Sequence, residues 1–153
     1  MNFEEHAAKP LLARHGIVVP EGELAKTPDA AAAVAARLGP VVVKAQVPAG
    51  KRGKAGGIKL AATPEEARAH ARAILGMDIA GHKVEQVLIE ERLPIERELY
   101  GAVLNDNSSK GPLVIFSTEG GMDIEEVAAA APGKLRRQPV DIRRGFSRAD
   151  AGA

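Results

Sequence analysis

At 153 residues, with 27% charged and 45% apolar residues and a formal net charge of +1, the chain has the balance of a globular protein of one ordinary domain or two small ones. Aromatic residues are only 3%, which leaves few platforms for stacking nucleic-acid bases, and the lack of cysteine excludes disulfides and thiolate metal sites. No apolar run approaches the ~20 residues of a membrane span, and MNFEEHAAKP lacks the features of a signal peptide, so the expectation is a cytoplasmic protein with neither membrane nor nucleic acid as partner.

Asn2 and Glu5 form a capping pair for a first helix, with Phe3, Ala7, Leu11 and Leu12 on one face and Gly16 as its end. Pro10 falls inside it and predicts a kink or two short turns. "IVVP" (17–20) reads as a short strand. Thr27-Pro28-Asp29 opens a second, alanine-rich helix that runs to Leu38 and stops at Gly39. "PVVVKAQV" (40–47) is a buried β-branched strand, and "GIKLA" (57–61) returns from the loop that follows it. Thr63-Pro64-Glu65-Glu66 starts a third helix that should end near Leu75, before Gly76. "KVEQVLIEE" (83–91) and "ERELYGAVLN" (96–105) are the next strands, and NDNSSKG (105–111) turns into "PLVIFS" (112–117). "STEGGMDIEEVAAAA" (117–131) passes through a glycine turn into a helix with an acidic first turn. Beyond Pro132 only a strand around Val140-Asp141-Ile142 is expected. Helices and strands alternate without a repeat, which gives a mixed α/β (α+β) class.

The loop after the valines concentrates charge. Lys44, Lys51, Arg52, Lys54 and Lys59 are interleaved with Gly50, Gly53, Gly56 and Gly57. Glycines let backbone N–H groups approach an anion, and arginine binds phosphate oxygens in a fork. A hydrated surface hairpin would carry the same residues. The sequence fits neither the G-x-x-x-x-G-K-[ST] nor the G-x-G-x-x-G phosphate pattern. Lys44 stands apart, because it interrupts a buried strand and a buried ammonium needs a partner.

"VVVKAQVPAGKRGKAGGIKLA" (41–61) resembles the nucleotide-binding signature of the ATP-grasp region in the β subunit of ADP-forming succinate–CoA ligase (succinyl-CoA synthetase). "KPLLARHGIVVPEG", "LGMDIAGHKVEQVLIEE", "ERELYGAVL" and "STEGGMDIEEVA" follow in that family's order, so the likeness covers residues 1 to about 145. The resemblance implies an ATP-grasp fold, truncated before its second half is complete. It implies a smaller, lid-like subdomain at residues 21–98, part of the larger subdomain at 1–20 plus 99–145, and a polar tail at 146–153.

It also implies site residues. Lys44 matches the lysine that contacts nucleotide phosphates, and Lys51-Arg52-Gly53 matches the Gly-Arg-Gly that covers them. Lysine in place of the first glycine is expected to forbid a positive φ at position 51, and Pro48 to stiffen the approach. Glu90 and Glu98, eight residues apart, match two carboxylates of the nucleotide pocket, and the backbone from Glu91 to Leu93 would lie against adenine. Glu119-Gly120-Gly121 matches a turn that is read as structural. His6, His15, His70 and His82 match no catalytic position.

By the same resemblance the whole enzyme joins succinate to coenzyme A, with ATP or GTP cleaved to the diphosphate and phosphate. It works through an acyl phosphate and a phosphohistidine on a partner α subunit, in the tricarboxylic acid cycle. The Mg²⁺ ligands would lie beyond this chain, so the segment alone should bind nucleotide without turnover. Three rivals remain: malate–CoA ligase or citryl-CoA synthetase, a non-catalytic nucleotide- or partner-binding module, and a small domain binding nucleic acid or other anions.

Overall fold

Val41, Val43 and Ala45 are wholly buried at the centre of a four-stranded sheet. The computed structural model describes residues 3–121 and 124–152, and the chain divides into two units, Met1–Leu93 and Pro94–Ala153. In the first unit the elements are α1 (Glu5–Arg14), β1 (Gly22–Ala25), α2 (Pro28–Leu38), β2 (Val41–Ala45), β3 (Ile58–Ala61), α3 (Pro64–Ile74), β4 (Asp78–Ile79), β5 (His82–Lys83) and β6 (Val87–Glu91). The sheet order is β1-β6-β2-β3, with every neighbouring pair antiparallel.

Side chains of a strand alternate between faces. Val41, Val43 and Ala45 of β2 and Val87 and Ile89 of β6 form a core with Ala31, Ala35, Ala67, Ala71 and Ile74 from α2 and α3. The small alanines let the two helices pack closely on each other and on the sheet. Burying one Ile such as Ile89 contributes about 1.5–3 kcal/mol. The opposite face carries Lys44, Leu88 and Glu90, with Gln46 just beyond the strand, and α1 lies over it through the polar contacts described below.

Both expected caps are present on α2 and α3. Thr27 Oγ1 accepts from the Ala30 amide at 3.2 Å, and Thr63 Oγ1 accepts from Glu66 at 3.2 Å. Glu66 returns its carboxylate to the Ala62 amide at 2.7 Å rather than to that of Thr63, one residue short of the usual reciprocal box.

Several expectations are corrected. Asn2, the expected first cap, lies outside the described residues, and Glu4 occupies the cap position of α1 without a side-chain bond to the helix's own amides. Pro10 does not split α1, which continues from Glu5 to Arg14 and is anchored through Glu5 and Lys9, both ahead of the proline. Residues 17–20 form no strand: Val18 is 95% exposed, and the edge beside β6 is taken by Gly22–Ala25. β-Branching favours a half-buried pleated surface, not a strand as such, and Pro20 has no N–H for a ladder. The expected strand at 83–91 is two, β5 and β6, because Lys83 pairs with Asp78 in a tight hairpin.

The second unit holds β7 (Tyr100–Asp106), β8 (Gly111–Ser117), α4 (Ile124–Ala130), a 3₁₀ turn (Pro132–Lys134), β9 (Leu135–Pro139) and α5 (Arg148–Ala151). β8 is the middle strand, antiparallel to both neighbours. The last strand comes earlier than Val140–Ile142, because the edge of β8 pairs with Leu135–Pro139 and Asp141 begins a turn. The polar tail contains a short helix, capped reciprocally by Ser147 and Asp150. Asp123, in the expected acidic first turn of α4, lies outside the described residues.

The units divide between Leu93 and Pro94, and α1 makes its polar contacts with the first unit. The division expected from sequence, 21–98 against 1–20 with 99–145, is a different partition from these two units.

Candidate functional site

The register of β2 against β6 sets Val42 opposite Glu90 and Lys44 opposite Leu88. Lys44 and Glu90 are therefore diagonal neighbours on one face, within reach of long side chains. Lys44 Nζ donates to Glu90 Oε1 at 2.5 Å and to Glu5 Oε1 at 2.9 Å. Glu90 is only 4% exposed, and its second oxygen pairs with Lys9 of α1. This answers the demand that a lysine in a buried strand creates. Its partners are one carboxylate from the next strand and one from the first helix.

Arg52 joins the same cluster from the loop. Its Nη2 donates to Glu5 Oε2 at 2.8 Å, and its Nη1 donates to the Ala45 carbonyl at 2.8 Å. The loop between β2 and β3 is closed by its own backbone: Ala45 donates to Gly57, Gly57 to Arg52, and Ala55 to Lys51. Gly57 is needed for this closure, since a Cβ there would stand 2.7 Å from Ile79 Cδ1 and 3.0 Å from Ala45 Cβ. Lys51 adopts φ +59°, so the expectation that lysine forbids a positive φ at 51 is overturned. The left-handed conformation costs a non-glycine residue roughly 1–2 kcal/mol, and the loop's hydrogen bonds hold it there.

Gln46, also buried, fixes the neck of the loop. Its Nε2 donates to the Ala45 carbonyl at 3.1 Å, and its Oε1 accepts from the His6 amide at 3.0 Å. Three cations, Lys9, Lys44 and Arg52, thus surround two carboxylates, Glu5 and Glu90. Burial disfavours the ionised form of Glu5, but the hydrogen bonds and charges of Lys44 and Arg52 outweigh it and hold the carboxyl below its usual pKa. Burial, and then the charge of Lys44, press the Lys9 ammonium below its usual value against the opposing pull of Glu5.

Of the residues singled out from sequence, Lys44, Arg52 and Glu90 come together in this cluster. Lys51 and Gly53 lie exposed on the same loop, and Leu93, 48% exposed, is the last residue of the first unit. Glu98 belongs to the second unit, exposed, against the Glu119-Gly120-Gly121 turn. The Gly120 amide donates to the Glu98 carbonyl at 3.1 Å, and a Cβ on Gly120 would stand 2.6 Å from the Leu99 nitrogen. The glycine pair therefore lets the backbone carrying Glu98 approach, in keeping with a structural reading of that turn. Sequence reasoning missed Glu5, Lys9 and Gln46. The available signal for Glu5 was the partner that Lys44 required. Among the described residues no group of three or more histidines or carboxylates is placed to hold a metal ion. No helix among them is long and apolar enough to cross a membrane.

The comparisons point the same way as the resemblance read from the sequence. The chain is 55% identical over 142 residues to succinate–CoA ligase [ADP-forming] subunit beta of Rubrobacter xylanophilus, covering 92% of this chain and 37% of that protein. It is 48% identical over 147 residues to succinate–CoA ligase [GDP-forming] subunit beta of Thermus thermophilus, covering 95% of this chain and 39% of that one. The chain thus spans well under half the length of these relatives. Among solved structures it is similar to the dinucleotide-forming acetyl-coenzyme A synthetase 1 of Ca. Korarchaeum cryptofilum, with a TM-score of 0.79 and 27% identity over 99% of this chain and 64% of that one. Residues 2–152 match the ATP-grasp domain, and with a match that spans nearly the whole sequence the chain belongs to the ATP-grasp family.

Proposed function

We propose that this chain is the nucleotide-binding part of the β subunit of an acid–CoA ligase, ADP-forming with ATP as the phosphate donor or GDP-forming with GTP, with succinate as the acid and an α subunit as partner. The observation that carries the reading is that Lys44 and Arg52, from a strand and from its loop, grip the two oxygens of one carboxylate. Two cations so placed are spaced for one small polyoxyanion, and a phosphate group offers the same geometry with more charge.

In this reading Lys44 and Arg52 hold nucleotide phosphates, with Lys51 and Gly53 covering them from the loop. Glu90 orients Lys44, and Glu98 accepts hydrogen bonds on the ribose side. The backbone as far as Leu93 lies against the base. In the longer protein residues 21–98 act as the lid, and 1–20 with 99–145 belong to the larger subdomain. Mg²⁺, which would neutralise developing phosphate charge when bound, takes its ligands from outside the described residues. The reaction passes through a phosphohistidine on the α subunit and an acyl phosphate, so this segment alone binds nucleotide without turnover. The cytoplasm is its expected compartment.

Calorimetric titration of the chain with MgATP and MgGTP, with Lys44→Ala alongside, tests the reading. Saturable binding lowered at least ~10-fold by the substitution is expected, because one charge-assisted contact is worth at least about 1.4 kcal/mol. Equal binding by both proteins would refute the site.

A further inference from the structure

We propose that Glu5 competes with phosphate for Lys44 and Arg52, so that the first helix must release its carboxylate for a polyphosphate to bind. The inference rests on the reading of Lys44 and Arg52 as phosphate ligands. Glu5 uses one oxygen on each cation, at 2.9 Å and 2.8 Å, and so fills the anion position between them. Both cations keep another partner when it leaves. Lys44 retains Glu90 and Arg52 retains the Ala45 carbonyl, so the site stays formed. With Glu5 withdrawn, three cations face one carboxylate, which raises the attraction for a multiply charged anion.

The helix that carries Glu5 is suited to yielding. No residue of α1 is buried, and Leu11 and Leu12 are 45% and 44% exposed. Its ties to the sheet are polar: Glu5 to Lys44 and Arg52, His6 to Gln46, Lys9 to Glu90, with Glu4 at its cap reaching Gln86. Each of these bonds can be exchanged for one to water, whereas a helix seated by apolar burial could not leave at so little cost. Pro10 removes one backbone donor from within the helix. An open cleft of ≈ 430 Å³ bounded by Phe3, Glu5, Pro48, Gly50 and Arg52 gives a phosphate chain a route to the arginine.

An occupied site binds with an affinity reduced by the fraction of time it is free. With Glu5 seated about nine-tenths of the time, Glu5→Gln should bind tripolyphosphate and MgATP roughly tenfold more tightly than the unaltered 153-residue chain. Tripolyphosphate has no base or ribose and reports on the phosphate position alone. Tighter binding by Glu5→Gln, including binding that appears only in that variant, supports the competition. Unchanged or weaker binding overturns it, and if Lys44→Ala still abolishes binding the nucleotide site itself stands. Binding that Lys44→Ala leaves intact overturns both. Should Glu5→Gln fail to fold, hydrogen exchange on the unaltered chain decides. The α1 amides must exchange faster at saturating tripolyphosphate, and unchanged or slower exchange overturns the proposal.

Discussion

The two units spend their apolar residues differently. In the first, β2 and β6 direct valines and isoleucine inward beneath two alanine-rich helices, and the core residues are almost inaccessible. In the second, Val103, Leu104, Phe116, Ile142 and Phe146 are 42–77% exposed, and Ile115 and Val127 are the buried hydrophobic residues among those described. A three-stranded sheet with short helices has little with which to cover both faces. The first unit can therefore place charges with precision, because a packed core fixes the strands that carry them. The second presents Glu98 from an exposed segment braced by a glycine turn.

The strongest way to break this comparison is to treat the two carboxylates alike. Glu90→Ala leaves Lys44 and Lys9 without their shared buried partner, and should cost about 3 kcal/mol, the low end for a broken buried pair because both ammoniums keep the Glu5 carboxylate within reach. Glu98→Ala, exposed, should change stability by no more than about 0.5 kcal/mol. Denaturant unfolding of both variants reads the difference. Equal losses would mean that Glu98 is held as firmly as Glu90.

A smaller effect follows from acid. Glu5 has a folded pKa below its unfolded one, so its contribution is full above the unfolded value, ~4.3 for glutamate. It fades as pH falls through the lower folded value. Docking of α1 should therefore weaken on acidification below about pH 4, seen as faster α1 amide exchange after correction for the intrinsic rate. Glu5→Gln should show much less of this change. A pH-independent α1 in the unaltered chain would mean that its other polar ties suffice.

The sequence revealed the first unit's helices and central strands because capping residues and β-branched runs are local signals. Thr27, Thr63 and the valines behave as their neighbours dictate. Residues 17–20 and 140–142 failed for the opposite reason. Which segment becomes an edge strand is settled by the partner edge, β6 in one case and β8 in the other, and not by local preference. At the site, Lys44, Arg52 and Glu90 were legible through their family pattern. Glu5 and Lys9 were not, since their role depends on a helix some 40 residues away in sequence folding over the face that β2 turns from the core. His6 likewise lay among histidines without a ligand pattern, and its main-chain N–H and ring Nδ1 both prove to meet Gln46 Oε1.

Lys51 sharpens the comparison at the finest grain, because it separates backbone from charge within one loop. Lys51→Gly relieves a left-handed lysine worth roughly 1–2 kcal/mol but adds about 0.5–1 kcal/mol of unfolded-chain freedom. The net change should be a stabilisation of no more than about 1.5 kcal/mol. Lys51→Asn keeps a residue that tolerates the left-handed region and removes only the charge. If the loop conformation is already correct, as its closing hydrogen bonds argue, both variants should weaken tripolyphosphate binding alike, by about threefold for one exposed charge. Tighter binding by the glycine variant alone would show instead that backbone freedom at position 51 limits closure over the phosphates.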